Sequence, residues 1–322
     1  MGLRLEDLAL NKKTPQKGML HKVGIVGCGE MGQQIALQCS QYGIDVVFVD
    51  VNEEKVVEAQ QSMALTLDQI INKWGMTPNE KKLILSRITG SHDFSILAEC
   101  DVVIETINSR KPGTSLEIRK SVFVKIEEIV RQDCVIASNT ATLMISDLAA
   151  ALKHPERALG MHFISPVREV SIVEVVRCQR TSDEAYEMLA KFAKMIGKEV
   201  VHVAESPGNI STRMIIPFVN EACEILMEGV ASVSDIDRTM KEASGNMMGP
   251  FELADRIGLD KLLKWMENLY AEFGQLKYKP SPLLKRMVRA GLNGMHSGEG
   301  FYRWEDGRKV KKVGPLSKLG RE

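Results

Sequence analysis

Residues 22–50, KVGIVGCGEMGQQIALQCSQYGIDVVFVD, decide the fold of this chain. They begin with an apolar run at 23–26, which is typical of a buried parallel strand. Three glycines in G-x-G-x-x-G spacing follow and lead into a helical pattern: Gly27, Gly29 and Gly32. A second apolar run, 44–49, ends at Asp50. This order predicts the first βαβ unit of a doubly wound, Rossmann-type sheet.

The same residues suit a dinucleotide. Gly27 permits the tight turn, Gly29 leaves room for a pyrophosphate, and Gly32 lets helix and strand pack closely. The anion would lie on the free N–H groups at the start of the helix. Asp50 can accept hydrogen bonds from a ribose and would repel a 2′-phosphate, which favours NAD over NADP. The predicted cofactor-binding residues of this segment are Gly27, Gly29, Glu30, Met31, Gly32 and Asp50.

Composition narrows the class of protein. The chain has 322 residues, enough for a large core and two domains, and its 42 basic side chains balance its 42 acidic ones. Nothing in this balance favours nucleic acid or a membrane surface as a partner. The six cysteines form no C-x-x-C pair and no His/Cys cluster has zinc-like spacing, so we expect reduced thiols, no metal and a cytoplasmic location. There is no secretory signal and no apolar span of about 18 residues, so we expect no membrane association.

The pattern changes near residue 204. Before it, strands alternate with helices, which places a ligand at the carboxyl ends of the strands. After Ser206 strands vanish, and a helix at 208–228 is apolar on nearly every side. Such a helix must be covered by its own domain and by a second subunit, so we expect a homodimer. The predicted divisions are a polar N-terminal extension (1–20), an NAD-binding Rossmann domain (21–204), an all-helical C-terminal substrate and dimerisation domain (205–304) and a basic tail (305–322).

His162 is the strongest candidate for acid–base chemistry. It ends a predicted strand, and Glu174 follows 12 residues later on the next strand, after a chain reversal around Ser165 and Pro166. Hydride transfer from a carbinol needs a base for the hydroxyl proton, and imidazole has a suitable pKa. A carboxylate beside the ring would fix its tautomer and stabilise the imidazolium. Spacing alone leaves a structural role for the histidine open.

Several motifs between residues 22 and 304 resemble those of the L-3-hydroxyacyl-CoA dehydrogenases, including 3-hydroxybutyryl-CoA dehydrogenases. They are VGIVGCGEMGQQIA (23–36), SNTATLMISDLA (138–149), PERALGMHF (155–163), SPGNISTR (206–213), MGPFELADRIGLD (248–260) and GEGFYRW (298–304). The resemblance implies an NAD-binding domain, a helical dimerisation domain, and a catalytic pair at His162 and Glu174. It further implies reversible oxidation of a (3S)-3-hydroxyacyl-CoA in acyl-CoA metabolism such as fatty acid β-oxidation.

The chain departs from that family inside the substrate pocket. The serine of the SNTSSL-like motif that contacts substrate is Ala141, and the asparagines of HFFNP and PGFIVNR are Ser165 and Thr212. By this resemblance we expect Ser165 to bind the cofactor, and three residues to line the substrate pocket: Ser138, Ala141 and Thr212. A bulkier, branched or cyclic acyl group, or one with a second carboxylate for Arg168, would explain the changes. Neutral drift with compensation would explain them equally well.

Two other functions remain open from the sequence. A CoA-independent hydroxy-acid dehydrogenase on the same scaffold would act on a free acid. A non-catalytic NAD-binding or structural relative of the enzyme would explain why several pocket side chains are changed. The retained pair of His162 and Glu174 favours an enzyme, and the motifs favour an acyl-CoA substrate.

Overall fold

The computed structural model describes residues 20–72, 75–108 and 115–313, with side chains to residue 310. The predicted N-terminal extension therefore lies outside the described residues except for Leu20, and so does the end of the predicted tail. Within the described ranges, no helix has both the length and the apolar character needed to cross a membrane.

The first domain is built on an eight-stranded sheet. Its strand order is β3-β2-β1-β4-β5-β6-β7-β8, and all neighbours are parallel except β6 and β7. The strands are β1 (Lys22–Val26), β2 (Asp45–Val49), β3 (Ile88–Ser91), β4 (Val102–Glu105), β5 (Val135–Ser138), β6 (Ala158–Phe163), β7 (Ile172–Arg177) and β8 (Glu199–Ala204). The order turns back at β1, between β2 and β4, where open α/β sheets bind their ligands.

Helices cover both faces of this sheet. They are α1 (Glu30–Gln41), α2 (Glu53–Asn72), α3 (Pro78–Ser86), α4 (Ser115–Glu127), α5 (Ile145–Ala149) and α6 (Asp183–Met195). Successive residues of a strand point to opposite faces, so neighbours on β1 enter different cores. Ile25 packs with Ile35 and Phe192 on one face, and Val26 packs with the core around Phe123 on the other. Burial on both faces explains why β1 is an unbroken apolar run.

The second domain has its own hydrophobic core. Its helices are α7 (Ser211–Met227), α8 (Val233–Ser244), α9 (Pro250–Ile257), α10 (Leu259–Phe273) and α11 (Pro282–Arg289). The predicted class, a Rossmann-type sheet followed by a helical domain, is confirmed. The last strand of the sheet ends at Ala204, and the first helix of the second domain begins at Ser211.

The expectation that strands vanish after Ser206 is wrong at one place. Strands β9 (Tyr302–Glu305) and β10 (Arg308–Val313) form an antiparallel hairpin, so residues 305–313 of the predicted basic tail belong to the folded domain. Lys309 explains the difference, because its Nζ donates to Glu252 at 2.8 Å and lies over the Tyr302 ring. The basic residues of this segment suggested a solvated tail, but one of them, Lys309, packs on the domain.

Helix α7 is also less covered than its sequence suggests. Its buried face is formed by Ile216, Val219, Cys223 and Leu226. Met214, on the other side, is 71% exposed in the single chain. Its own domain therefore buries one face of this helix and leaves the other face exposed in the single chain.

Candidate active site

The glycine-rich turn after β1 forms an open cradle. Gly27 has a φ of +88°, and its N–H donates to Val49 O at 2.8 Å, which ties the turn to β2. A Cβ on Gly29 would meet no atom within 4 Å, whereas one on Gly32 would collide with the carbonyl oxygen of Gly27. No side chain caps the N-terminus of α1. The first N–H groups of α1 are therefore available to an anion, as a bound pyrophosphate requires.

Asp50 lies beside this cradle at the end of β2. Its Oδ2 accepts from Cys28 N at 2.8 Å, and its Oδ1 accepts from Val51 N at 2.8 Å. Each carboxylate oxygen keeps a second lone pair, which can accept a ribose hydroxyl. The residues present therefore fit the adenosine and pyrophosphate parts of NAD. The structure brings together all six residues predicted for this part of the site: Gly27, Gly29, Glu30, Met31, Gly32 and Asp50.

Glu30 has a second, unexpected partner. It is the first residue of α1, and its Oε2 lies 2.6 Å from Nζ of Lys261 on α10. The pair joins the nucleotide cradle to the helical domain. A second contact joins the two domains after β5, where Asn268 Nδ2 donates to Thr142 Oγ1 at 2.8 Å.

His162 and Glu174 are direct neighbours. Strands β6 and β7 are antiparallel and pair His162 with Glu174 in register, so their side chains leave the sheet side by side. The imidazole Nδ1 lies 2.7 Å from Oε2 of Glu174, and both side chains are buried. An ionised carboxylate only accepts hydrogen bonds, so Nδ1 carries a proton and Nε2 has a free lone pair. The predicted contact between the two residues is present.

Glu174 is held by the helical domain as well. Its Oε1 accepts from the N–H groups of Ile210 and Ser211 at 3.2 and 2.8 Å, and its Oε2 accepts from the Ser211 hydroxyl at 3.1 Å. Burial raises the pKa of this carboxyl, but the hydrogen bonds from His162 and Ser211 outweigh burial and hold the pKa below its ordinary value. The N-terminus of α7 also favours the negative charge. Glu174 is therefore an anion at neutral pH.

Ser138 is fully buried at the end of β5, within a charged network. Its hydroxyl donates to Glu105 Oε2 at 2.7 Å and accepts from Arg119 Nη1 at 3.0 Å. Arg119 also bonds Glu105 at 2.5 Å and the Ile107 carbonyl oxygen at 2.5 Å. The network fixes the ends of β4 and β5 next to the cofactor cradle. Ser138, predicted as a substrate ligand, donates its only hydroxyl proton to Glu105.

The other predicted pocket residues lie around the His162 strand. Ala141 follows β5, and Thr212 is buried in the first turn of α7, two residues after the backbone donor of Ile210. Ser165 is exposed on the loop between β6 and β7, and its Oγ accepts from Gln34 Nε2 at 3.4 Å. Arg168, on the same loop, is exposed. Its Nη2 lies close to Gly75, 3.9 Å from the place that a Cβ on that glycine would take.

Sequence reasoning missed several residues that position the site. Glu105 and Arg119 are 14 residues apart, and Gln34 holds the loop after β6 from 133 residues away through Val167 N. The one local signal was Glu105 itself, a charged residue that ends an apolar strand. Among the described residues, no three His, Cys, Asp or Glu side chains are grouped so as to hold a metal. All six cysteines are buried with free thiols.

Family models match most of the chain. Residues 22–206 match the NAD binding domain of 3-hydroxyacyl-CoA dehydrogenase, and residues 208–304 match its C-terminal domain. The two matches meet in the short connection between β8 and α7.

Individual relatives agree with these matches. The chain is 38% identical to a probable 3-hydroxybutyryl-CoA dehydrogenase of Deinococcus radiodurans, over 88% of this chain and 100% of that protein. It is 35% identical to a 3-hydroxybutyryl-CoA dehydrogenase of Bradyrhizobium diazoefficiens, over 91% and 98% of the two chains. A crystal structure of the (S)-3-hydroxybutyryl-CoA dehydrogenase of Ralstonia eutropha superposes with a TM-score of 0.80, at 38% identity over 89% and 100%. The chain therefore belongs to the 3-hydroxyacyl-CoA dehydrogenase family and is an NAD-dependent oxidoreductase.

Proposed function

We propose that the protein interconverts a (3S)-3-hydroxyacyl-CoA and the corresponding 3-oxoacyl-CoA, with His162 as the general base and Glu174 as its orienting partner. One observation carries the proposal. The buried imidazole of His162 is bonded to the ionised carboxylate of Glu174 at 2.7 Å, and the strand of His162, β6, pairs with β5. Substrate would lie between the domains, since Glu174 also bonds the N-terminus of α7.

His162 has the geometry of a base. Its Nδ1–H is held by Glu174, so Nε2 takes the proton of the substrate hydroxyl. The imidazolium that forms is stabilised by the anionic carboxylate 2.7 Å away. NAD, when bound in the glycine cradle, supplies the acceptor for the hydride that leaves the same carbinol carbon. In the reverse direction the imidazolium returns the proton to the oxygen of the 3-oxo group.

The acyl group is the finer part of the proposal. At position 141 a methyl replaces a hydroxyl, which removes a hydrogen bond worth about 1 kcal/mol net. Ser165 and Thr212 have shorter side chains than asparagine and leave more space. We therefore propose an acyl group larger than a straight four-carbon chain, either branched, cyclic or dicarboxylic. Arg168 is the candidate partner for a second carboxylate.

A screen of substrates tests both parts. NADH formation is followed with straight, branched, cyclic and dicarboxylic 3-hydroxyacyl-CoA thioesters, and with the matching free acids as controls. Turnover of thioesters alone supports the proposal. Turnover of free acids without competition from thioesters identifies a CoA-independent dehydrogenase, and NADH binding without any turnover identifies a non-catalytic relative. If the straight four-carbon thioester has the highest kcat/KM, the proposal of a larger acyl group is wrong.

We propose that a second copy of the chain covers the helical domain. An apolar groove runs beside α7, and it is lined by Met214, Ile215, Phe218, Asn246, Met247, Met248 and Leu253. In the single chain Met247 is 89% exposed and Met214 is 71% exposed. Contiguous exposed apolar side chains of this kind favour an interface over a free surface.

Light scattering after size-exclusion chromatography tests the dimer. We expect a dimer for the wild type and dissociation for Met214→Lys, because an ammonium would be buried without a partner. Leu65→Lys, at an exposed apolar position on α2, is the matched control and should stay dimeric. A monomeric wild type, or an unchanged Met214→Lys dimer, would exclude this interface.

The buried free thiols also support the proposed cytoplasmic location, because a reducing compartment keeps cysteines unpaired.

A further inference from the structure

Helix α10 faces the crevice between the domains with two polar side chains. Lys261 and Asn268 are seven residues apart, or about two helical turns, so they lie on the same side of the helix. Asn268 bonds Thr142 after β5, and Lys261 bonds Glu30 at the start of α1. The side of α10 that carries Lys261 is therefore directed at the carboxyl edge of the sheet, where the cofactor cradle lies.

The position of Glu30 makes this contact unusual. The N–H groups of the first turn of α1 are uncapped and would hold the pyrophosphate of a bound cofactor. The Glu30 carboxylate begins that same turn, so a bound pyrophosphate and the carboxylate repel each other. A positive charge at this place would reduce the repulsion between the anion and the carboxylate.

Lys261 is the cation in position to supply that charge. Its Nζ is 2.6 Å from Glu30, and the two side chains are 30% and 60% exposed. An exposed ion pair of this kind adds little to folding stability, so the contact is not needed to hold the fold together. The charges next to Lys261 on its own segment are Asp260, which lies 3.7 Å from His296, and Lys264 one turn further on. A lysine stem is long and flexible, and its ammonium is a good phosphate ligand.

We propose that Lys261 is a dinucleotide-binding residue contributed by the helical domain. Its ammonium pairs with Glu30 in the absence of cofactor and bonds the pyrophosphate in its presence. Binding of NAD(H) therefore strengthens the contact between α10 and α1 and holds the two domains together over the substrate. The inference rests on the NAD site and goes beyond the acyl chemistry proposed above.

The test is a titration of NADH fluorescence without acyl substrate. We expect Lys261→Met to raise the Kd for NADH by about fivefold at low salt, and by less at about 0.5 M salt. Glu30→Gln should lower the Kd, because it removes the repulsion. In the Glu30→Gln background, Lys261→Met should still raise the Kd by about threefold. Lys277→Met, at an exposed lysine elsewhere in the helical domain, is the matched control and should bind normally.

Nucleotide fragments locate the contact. Lys261→Met should weaken binding of ADP-ribose, which carries the pyrophosphate, and leave binding of adenosine unchanged. A Kd for NADH that is unchanged by Lys261→Met would overturn the proposal. So would an effect that disappears in the Glu30→Gln background, since Lys261 would then only neutralise Glu30. Because no acyl thioester is present, neither result bears on the proposed oxidation.

Discussion

His162 and Glu174 meet because of strand register. The imidazole and the carboxylate are opposite each other on antiparallel strands, and the N-terminus of α7 then binds the same carboxylate. Three donors, from His162 and from the backbone and side chain of Ser211, keep Glu174 ionised in a buried place. A buried anion beside Nδ1 orients the ring and fixes the tautomer that leaves Nε2 for the substrate.

Replacing the orienting carboxylate tests this role. Glu174→Gln keeps the shape of the side chain but removes the charge that stabilises the imidazolium. We expect kcat to fall by about a hundredfold or more, with the Kd for NADH within about twofold of wild type. Stopped-flow NADH formation and a fluorescence titration measure the two quantities. Glu184→Gln, at an exposed position on α6, should behave as wild type, and an active Glu174→Gln would remove the carboxylate from the mechanism.

A second buried carboxylate gives a pH dependence of stability. Asp255 accepts hydrogen bonds from the N–H groups of Phe301 and Tyr302 and from the Trp304 indole, at 2.8–2.9 Å. Burial nonetheless raises its pKa to about 6, above its ordinary value near 4, so the folded state binds the proton more tightly than the unfolded state. The contribution of Asp255 to stability is therefore greatest below about pH 4 and is lost as the pH rises through about 6.

The Asp255→Asn variant isolates this contribution. The wild-type free energy of unfolding minus that of Asp255→Asn should fall by about 2 kcal/mol from pH 4 to pH 7, since each pKa unit is worth about 1.4 kcal/mol and part of the contribution is already lost at pH 4. Urea unfolding at several pH values measures the difference. A difference that stays constant or rises with pH would mean that the three donors hold Asp255 ionised, and that its pKa is not raised.

At the scale of elements, the loop between β6 and β7 is fixed from two sides. Gln34 on α1 accepts from Val167 N at 2.9 Å, and Lys198 before β8 donates to the carbonyl oxygens of Val167 and Val170. Lys198 is buried, which lowers its pKa. The loop joins the strand of His162 to the strand of Glu174 and carries Ser165, so its position influences how the two strands are held.

Removing the buried ammonium should loosen this loop. Lys198→Met leaves two carbonyl oxygens without a donor, so we expect the free energy of unfolding to fall by about 2–3 kcal/mol. We expect kcat to fall about tenfold, because a small displacement of reacting groups is costly. Lys194→Met, at an exposed lysine on α6, is the control. Unchanged stability and kcat would show that the loop holds its position without Lys198.

Elements defined by local pattern were predictable from the sequence, and those defined by distant contacts were not. The glycine turn, the alternating strands and the His162 strand follow from spacing within a few residues. The short helices α9 and α11 have eight residues each and were not predicted, because they give too few turns for a clear period. The hairpin of β9 and β10 was missed because Lys309 depends on Glu252, which is 57 residues away.

At the scale of the whole molecule, the site belongs to both domains. The Rossmann sheet supplies His162, Glu174 and the cradle of the proposed site, and the helical domain contacts them through the α7 N-terminus and Lys261. The sequence predicted both domains and the contact between His162 and Glu174. It could not predict the contact between Lys261 and Glu30, because residues 231 positions apart leave no local pattern. Closure of the two domains over a thioester would exclude water from the transferred proton and hydride.

The most direct test is kinetic analysis of His162→Gln. The substrate is the thioester that the screen finds best, and NADH binding is titrated in parallel. If Nε2 of His162 is the proton acceptor, kcat should fall by about a thousandfold or more while the Kd for NADH stays within about twofold. His92→Gln, at an exposed histidine, is the control and should keep full activity. A kcat for His162→Gln within about threefold of wild type would contradict the account.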